Sequence, residues 1–393
     1  MILRILLLSS VAGLVSSTIY LMLVLVAAKL FRASARNETA IPPQWPPVSV
    51  LKPLHGMEPQ LDGNLKSFFL QDYPDFEIIF GARHGTDPAL RIVESLQQKY
   101  PHVRTRIVLS GEPVWPNAKV FALEKMLALA AAPYVVITDS DVCVSRGCLK
   151  AVVAPLLDTK VGVVTCLYRG VAAGGFWSVL EALGMSIEMP SGVLVARMLE
   201  DMKFALGPTM ATRKDVLDAI GGIGVLGHYC ADDYVLGNLA HTQGKAVVLS
   251  EHIIDHVAMN TSLGASVAHQ VRWMRSARFS RRAGHAGTGL TYAMPFGLLG
   301  LGAGLAAHNL QLAVVLLGWA YVNRVIQAIA TGWGVMGDIQ SLRLCWLYPV
   351  RDLMGFFVWC ASFTGSEIVW RNERYRLLRD GKMLIQRDAR EQL

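Results

Sequence analysis

Tyr134-Val135-Val136-Ile137-Thr138-Asp139-Ser140-Asp141 is the stretch from which this chain is read. Its first five residues are apolar or β-branched and form a short run with the character of a buried strand. The run then stops at two carboxylates spaced two residues apart. On an extended segment alternate side chains point to one side, so Asp139 and Asp141 can face a common ligand. Two hard oxygen donors suit Mg²⁺ or Mn²⁺, and either ion shares its coordination readily with phosphates. A polar turn after a strand has the same residues, and Asp-x-Asp is a common tripeptide. The neighbouring sequence decides between the two.

Upstream, Val48-Ser49-Val50-Leu51 reads as a first strand ending at Lys52-Pro53-Leu54, and Leu61 to Gln71 as a helix. Phe76 to Gly81 is a second strand, Pro88 to Tyr100 a helix, Val103 to Leu109 a third strand and Lys119 to Ala131 a third helix. Tyr134–Thr138 is then the fourth strand. Strands alternating with helices predict an α/β fold with a largely parallel, doubly wound sheet. Such sheets bind ligands beyond the carboxyl ends of their strands, and Lys52, Asp87 and Asp139 all lie at or just past such ends.

Asp87, in Gly85-Thr86-Asp87-Pro88, suits either a hydrogen bond from a nucleobase or ribose or a helix cap with Pro88 at the first helical position. Asn117 and Lys119 precede the third helix, where nucleotide-sugar contact and a solvated loop are both open. Asp232-Asp233-Tyr234 lies between Gly221-Gly222-Ile223-Gly224 and a helix expected over Tyr234 to Gln243. Adjacent carboxylates repel, which raises one pKa toward the range of a general base. A cap at a helix start, favoured by the helix dipole, has the same pattern. Further on, Arg272, Arg275, Arg278 and Arg281 recur three apart and form a basic stripe on a helix. Trp273, Met274 and Phe279 could meet lipid as an interfacial helix does. A guanidinium such as that of Arg272 also suits a leaving diphosphate.

The chain has 393 residues, of which 53% are hydrophobic and 17% charged. That is too apolar for an ordinary soluble protein and too mixed for a bundle of membrane helices. Ile5 to Ala28 is a nearly unbroken apolar run of 24 residues, long enough to span a bilayer. Lys29, Arg32 and Arg36 follow it and only Arg4 precedes it, so the positive-inside rule puts the downstream domain in the cytoplasm. Ile41 to Pro47 reads as a stiff proline-rich linker. Apolar stretches return at Ala293 to Ala307, Leu310 to Val322 and Leu344 to Phe363, broken near Arg324 and at Arg351-Asp352. Two crossings plus one re-entrant or interfacial segment reconcile them with the Arg371, Arg374, Arg376 and Arg379 tail. The expected division is an anchor over 1–32, a catalytic domain over 33–287 and a membrane region with a basic tail over 288–393. The net charge of +7 fits anionic headgroups, or positive-inside topology alone, better than nucleic acid. The six cysteines form no CxxC pair and have no zinc spacing, consistent with reduced thiols facing the cytosol. No Walker A, GxGxxG or GxSxG pattern occurs.

Together these features resemble the membrane-anchored, inverting GT-A glycosyltransferases of the ceramide glucosyltransferase group and their bacterial hopanoid-associated relatives. The likeness runs through nearly the whole chain: Val48 to Gly56, Gln71-Asp72-Tyr73-Pro74, Thr86-Asp87-Pro88-Ala89, Asp139-Ser140-Asp141, Gly162-Val163-Val164-Thr165, Arg213 to Leu217, Asp233-Tyr234 and Arg272-Trp273. The resemblance implies a GT-A domain flanked by transmembrane or interfacial helices. It implies Asp87 near a uridine, Asp139 and Asp141 as the metal-binding pair, and Asp233 as the base that deprotonates the acceptor hydroxyl. Arg272 and Trp273 end the (Q/R)xxRW motif, which closes over diphosphate and acceptor. Its first position is His269, a departure that alters the contacts this motif can make.

The implied reaction is transfer of a hexose from a UDP-sugar, UDP-glucose first, to a lipid hydroxyl, ceramide first, at the cytoplasmic face of a bacterial inner membrane. The implied partners are thus the UDP-sugar donor, the lipid acceptor and the membrane, with no nucleic acid. Lys52, Asp87, Asn117, Lys119, Asp139 and His269 are the expected donor-side contacts. The alternatives are UDP-N-acetylglucosamine transfer to a hopanoid or other lipid, a processive polysaccharide synthase and a non-catalytic membrane scaffold.

Overall fold

The computed structural model describes residues 1–34, 44–371 and 373–386. Arg36 and the first three residues of the expected proline-rich linker lie outside the described residues. The chain divides into two compact units.

The first unit is built on an eight-stranded sheet. Its strands are β1 (Val48–Pro53), β2 (Phe76–Ala82), β3 (Arg104–Leu109), β4 (Tyr134–Thr138), β5 (Val142–Cys143), β6 (Val161–Ala172), β7 (Thr209–Arg213) and β8 (Ala246–Ala258). They lie in the order β3-β2-β1-β4-β7-β6-β8-β5. The β3-β2-β1-β4 half is all parallel, as expected. Beyond it β7 runs antiparallel to both β4 and β6, so the sheet is mixed, not largely parallel throughout. Val50 lies between Ile78 and Val136, and Leu51 between Ile79 and Ile137; all six are fully buried. Helices cover both faces of a parallel sheet, which is why these strands read as continuous apolar runs without alternation.

Three later strands, β9 (Glu367–Trp370), β10 (Glu373–Leu377) and β11 (Met383–Ile385), form a small antiparallel sheet in this same unit. They hold the arginines expected to form a basic tail beside the membrane region. The Met383 N–H donates to the His228 carbonyl at 2.7 Å, and Tyr229 bridges to Lys382. Backbone pairing therefore joins the segment beyond Ser366 to the sheet unit, and the expected linear division at 287 and 288 is corrected in that respect.

The second unit takes the N-terminal helix Ile2–Ser34 together with Gly174–Leu199 and Asn260–Gly365. Among the described residues three helices are long and apolar enough to cross a membrane: Ile2–Ser34, Gly175–Glu200 and Leu310–Trp333. The first and third match expected spans. Gly175–Glu200 was not anticipated, because Glu181 and Glu188 interrupt its apolar pattern. Met294–Ala306 and Tyr348–Ser362 are shorter, at 13 and 15 residues. The charges that broke the sequence pattern are paired inside this unit. Arg324 Nη1 lies 3.0 Å from Asp352 Oδ1, and Arg351 Nη2 lies 2.9 Å from Glu188 Oε2. The second Asp352 oxygen accepts from the Ala293 and Met294 amides and so caps the Met294–Ala306 helix. Buried charges persist in such surroundings only when paired in this way.

Candidate active site

Strand β4 ends at Thr138, and the chain turns through Asp139 and Ser140 before β5 pairs antiparallel with β8. That pairing sets Val142 opposite His256 and brings the imidazole Nε2 to 3.0 Å from Asp141 Oδ2. Burial alone would raise the pKa of Asp141. The charge and hydrogen bond of His256, with Lys52 and Lys119 behind them, hold it below the usual carboxylate range. Its other oxygen, Oδ1, is buried and has no hydrogen-bond partner among the described residues. A buried carboxylate oxygen left open beside an imidazole fits a divalent cation. Asp139 differs: its Oδ1 lies 2.7 Å from the Lys119 ammonium. Asp141 with His256 is therefore the better pair of metal donors, and Asp139 is already charge-compensated. Among the described residues no group of three His, Cys, Asp or Glu side chains is arranged to hold a metal, so these two leave room for donors from a ligand.

Lys119 is the hub of the carboxylate cluster. It is buried, pairs with Asp139, and lies 3.8 Å from Asp232 Oδ2. Burial opposes its charge, but Asp139, Asp232 and Asp233 raise its pKa above the ordinary lysine value. Asn117 was expected to touch the nucleotide, and here the structure corrects the sequence reading. Asn117 is fully buried, its Oδ1 caps the Ala118–Leu129 helix through the Val120 amide, and its Nδ2 donates to the Tyr229 carbonyl and to Asp232. It fixes the loop before Asp232 and has no atom left for a ligand. Lys52 is likewise fully buried. Its ammonium donates to the Asp139 carbonyl at 2.5 Å and lies 3.9 Å from the Phe68 ring centre. Burial lowers its pKa to about 7. It supports the Asp139 turn from below, where direct nucleotide contact had been expected.

Asp87 caps the helix that follows it, accepting from the Ala89 amide at 2.9 Å. The same carboxylate also accepts from the Gly56 amide at 3.1 Å, tying the loop after β1 to the end of β2. Within that loop lies Glu58, which belongs to no motif read from the sequence. Burial and the nearby Asp141 raise its pKa to about 7, and its Oε2 has no hydrogen-bond partner among the described residues.

Asp232 and Asp233 open the Asp232–Thr242 helix. Asp233 accepts from the Gly207 amide at 2.6 Å and from the Tyr234 amide at 2.8 Å. Burial first, then the charge of Asp232, raises its pKa to about 6. A glycine allows the close approach this needs: a Cβ at Gly237 would fall 2.5 Å from the Ala205 nitrogen and 2.6 Å from the Phe204 backbone. The helix thus packs directly onto the strand-leading segment that carries Gly207.

The ends of β1, β2 and β3, with the start of the Ala118–Leu129 helix, line an open cleft. Leu54, His55, Arg83, Ser110, Lys119 and Arg371 contribute to its wall.

Arg272, Trp273 and His269 lie on the Leu263–Ser280 helix of the other unit. His269 Nδ1 is 2.7 Å from the buried Glu181 Oε1, and its ring lies 4.3 Å from that of Trp273. Ser266 and Asn260 also donate to Glu181. The residue that departs from the (Q/R)xxRW pattern is therefore engaged by a carboxylate that neither Gln nor Arg would meet in the same way. Arg275 and Arg278 of the basic stripe donate to the Thr364 and Ser362 carbonyls, so part of that stripe serves packing.

A family model described as glycosyl transferase family 21 matches residues 9–383. Ceramide glucosyltransferase 1 of Caenorhabditis elegans is 30% identical over 211 residues, which is 53% of this chain and 45% of that protein. Ceramide glucosyltransferase 3 of the same organism is 24% identical over 347 residues, covering 86% of this chain and 74% of that protein. The chain thus spans less than half the length of the first of these relatives. The mannosyltransferase PcManGT from Pyrobaculum calidifontis, solved in complex with GDP-Man and Mn²⁺, aligns with a TM-score of 0.55 at 17% identity. The alignment covers 89% of this chain and 99% of that one, and at this identity it speaks to the shared GT-A fold alone.

Proposed function

Given that the chain belongs to glycosyl transferase family 21 and is a glycosyltransferase, we propose that it transfers glucose from UDP-glucose to the hydroxyl of a membrane lipid, ceramide or a close analogue, with inversion. The names of the relatives support the lipid acceptor and the sugar. The three helices able to cross a membrane support a membrane enzyme, and the charge bias around the first of them supports a cytoplasmic catalytic domain. The single observation that carries the mechanism is the Lys119 cluster. One buried ammonium pairs with Asp139, lies 3.8 Å from Asp232, and feels the charge of Asp233, so the strand-end carboxylates and the candidate base form one electrostatic unit.

In this reading Asp233 takes the proton of the acceptor hydroxyl. The hydroxyl oxygen bonds to the anomeric carbon as the bond from that carbon to the diphosphate oxygen breaks, and UDP leaves with the electron pair. Attack opposite the leaving group inverts the centre, and no covalent enzyme intermediate forms. A pKa of about 6 leaves Asp233 ionised near neutral pH yet basic enough to assist. The amides of Gly207 and Tyr234 hold its carboxylate in place. Asp141 and His256 would hold a divalent cation, which when bound supplies positive charge to the departing diphosphate. Asp87 organises the loop after β1 at the uridine end.

The test is Asp233→Asn. The variant should bind the UDP-sugar as wild type does while transfer falls by about 10²-fold or more. Wild-type turnover in that variant would remove Asp233 as the base.

A further inference from the structure

The Arg-rich segment near the C-terminus contributes one residue to the nucleotide cleft. Trp370 pairs directly with Glu373 across β9 and β10, so Arg371 lies in the tight connection between the two strands. Such tight hairpins need positive φ at their tips, and Arg371 has φ 51. Asn, Asp and Gly adopt that conformation readily, whereas a long side chain does so rarely. An arginine here is a poor choice for the turn itself, which directs attention to its guanidinium.

That guanidinium is committed to the cleft. Among the described residues of β9–β11 and their connections, Arg371 is the one in the cleft wall, beside His55, Arg83 and Lys119. Asp139, Glu58 and Asp141 are its attractive electrostatic neighbours, and Arg83 its repulsive one. Its charge also ranks next after burial among the causes that lower the pKa of His55, which puts it against the loop after β1. Strand β11, which pairs with β10, is held by backbone bonds to the segment before Asp232: Met383 to His228, and Lys382 to Tyr229. The Tyr229 carbonyl in turn accepts from Asn117, the cap of the helix that carries Lys119. Arg371 itself is solvent-exposed, as a residue must be to meet an incoming ligand.

We propose that Arg371 is a nucleotide-binding residue, carried over the cleft by the β9–β10 hairpin so that its guanidinium engages the diphosphate of the donor. The inference rests on the reading of the cleft as a UDP-sugar site and adds a phosphate contact from outside the sheet. Planar guanidinium groups bind phosphate oxygens in pairs, which a lysine cannot reproduce. Three other cationic groups already line or underlie the region, but Lys52 supports a backbone carbonyl, Lys119 is paired with Asp139, and Arg83 lies 3.7 Å from Glu112. Arg371 supplies positive charge that is not already spent on the catalytic carboxylates at ion-pair distance.

The experiment uses the full-length protein in detergent with Mn²⁺. UDP binding is measured by calorimetry and uridine binding by ligand-observed NMR, for wild type, Arg371→Gly and Arg371→Lys. Glycine adopts φ near 51 freely, so Arg371→Gly removes the guanidinium and keeps the turn. The expected result is UDP affinity weakened about tenfold or more in Arg371→Gly, a smaller loss in Arg371→Lys, and uridine affinity unchanged. Arg371→Gly binding UDP as wild type does, or losing uridine and UDP affinity to the same degree, overturns the assignment and leaves the glycosyltransferase reading standing. Wild type that binds uridine but gains nothing from the diphosphate overturns both.

Discussion

Asp233 and Asp232 are neighbours in sequence with unequal surroundings. Asp232 is shielded by Lys119 and Asn117, while Asp233 is held by two amides and raised to about 6 by burial and by Asp232. The active form of the base is the carboxylate, so kcat should rise with pH through an apparent value near 6 and level off above it. Asp232→Asn removes a like charge, lowers the pKa of Asp233 and should move that limb to lower pH; a limb that stays put would show that burial alone sets it. His256 makes a second prediction. His256→Ala should raise the Mn²⁺ concentration for half-maximal activity by about tenfold or more, with UDP affinity in saturating metal little changed. At this scale the sequence located carboxylates just beyond strand ends, Asp87 after β2 and Asp139 after β4, without fixing what each one does. It was read poorly where role depends on burial. Lys52 and Asn117 occupy ligand-facing positions in the pattern, yet their polar atoms are consumed by Asp139, Val120 and Tyr229. His256 lies inside β8, and nothing local announces that β5 will bring Asp141 beside it.

The elements most legible in the sequence were those with strong local period. Tyr134–Thr138 falls where expected, and the first three strands and helices shift by only a residue or two at their ends. The antiparallel insertion of β7 and the strands beyond Ser366 were not legible, because pairing partners distant in sequence leave no periodic mark. Nor was the Gly175–Glu200 helix, in which Glu181 lies against His269 and Glu188 against Arg351. One glycine has a consequence for catalysis. The Asp232–Thr242 helix can approach the 204–207 segment only because Gly237 has no side chain. Gly237→Ala must push the helix off that backbone. It should destabilise the protein by about 1–3 kcal/mol and lower kcat more than donor KM, since the Gly207 contact that orients Asp233 would lengthen. Unchanged kcat in a destabilised variant would separate packing from base positioning.

On the scale of the molecule, a sheet unit carries the candidate chemistry and a helical unit carries the spans able to cross a membrane. A lipid acceptor gives a physical reason for one chain to hold both, since the hydroxyl to be glycosylated is confined to the bilayer surface while the UDP-sugar is water-soluble. This joint architecture was legible from composition alone: apolar ends around a domain of ordinary polarity. Which segments belong to which unit was not, because Gly174–Leu199 and the strands after Ser366 depart from linear order. The most direct test of the account is the product made by the full-length protein reconstituted in vesicles containing ceramide, given UDP-glucose and Mn²⁺. The account predicts UDP release matched by a lipid bearing a single β-linked glucose, opposite in configuration to the donor, and loss of both in Asp233→Asn. An α-linked product, a polymer, or UDP release that does not depend on the lipid would contradict it.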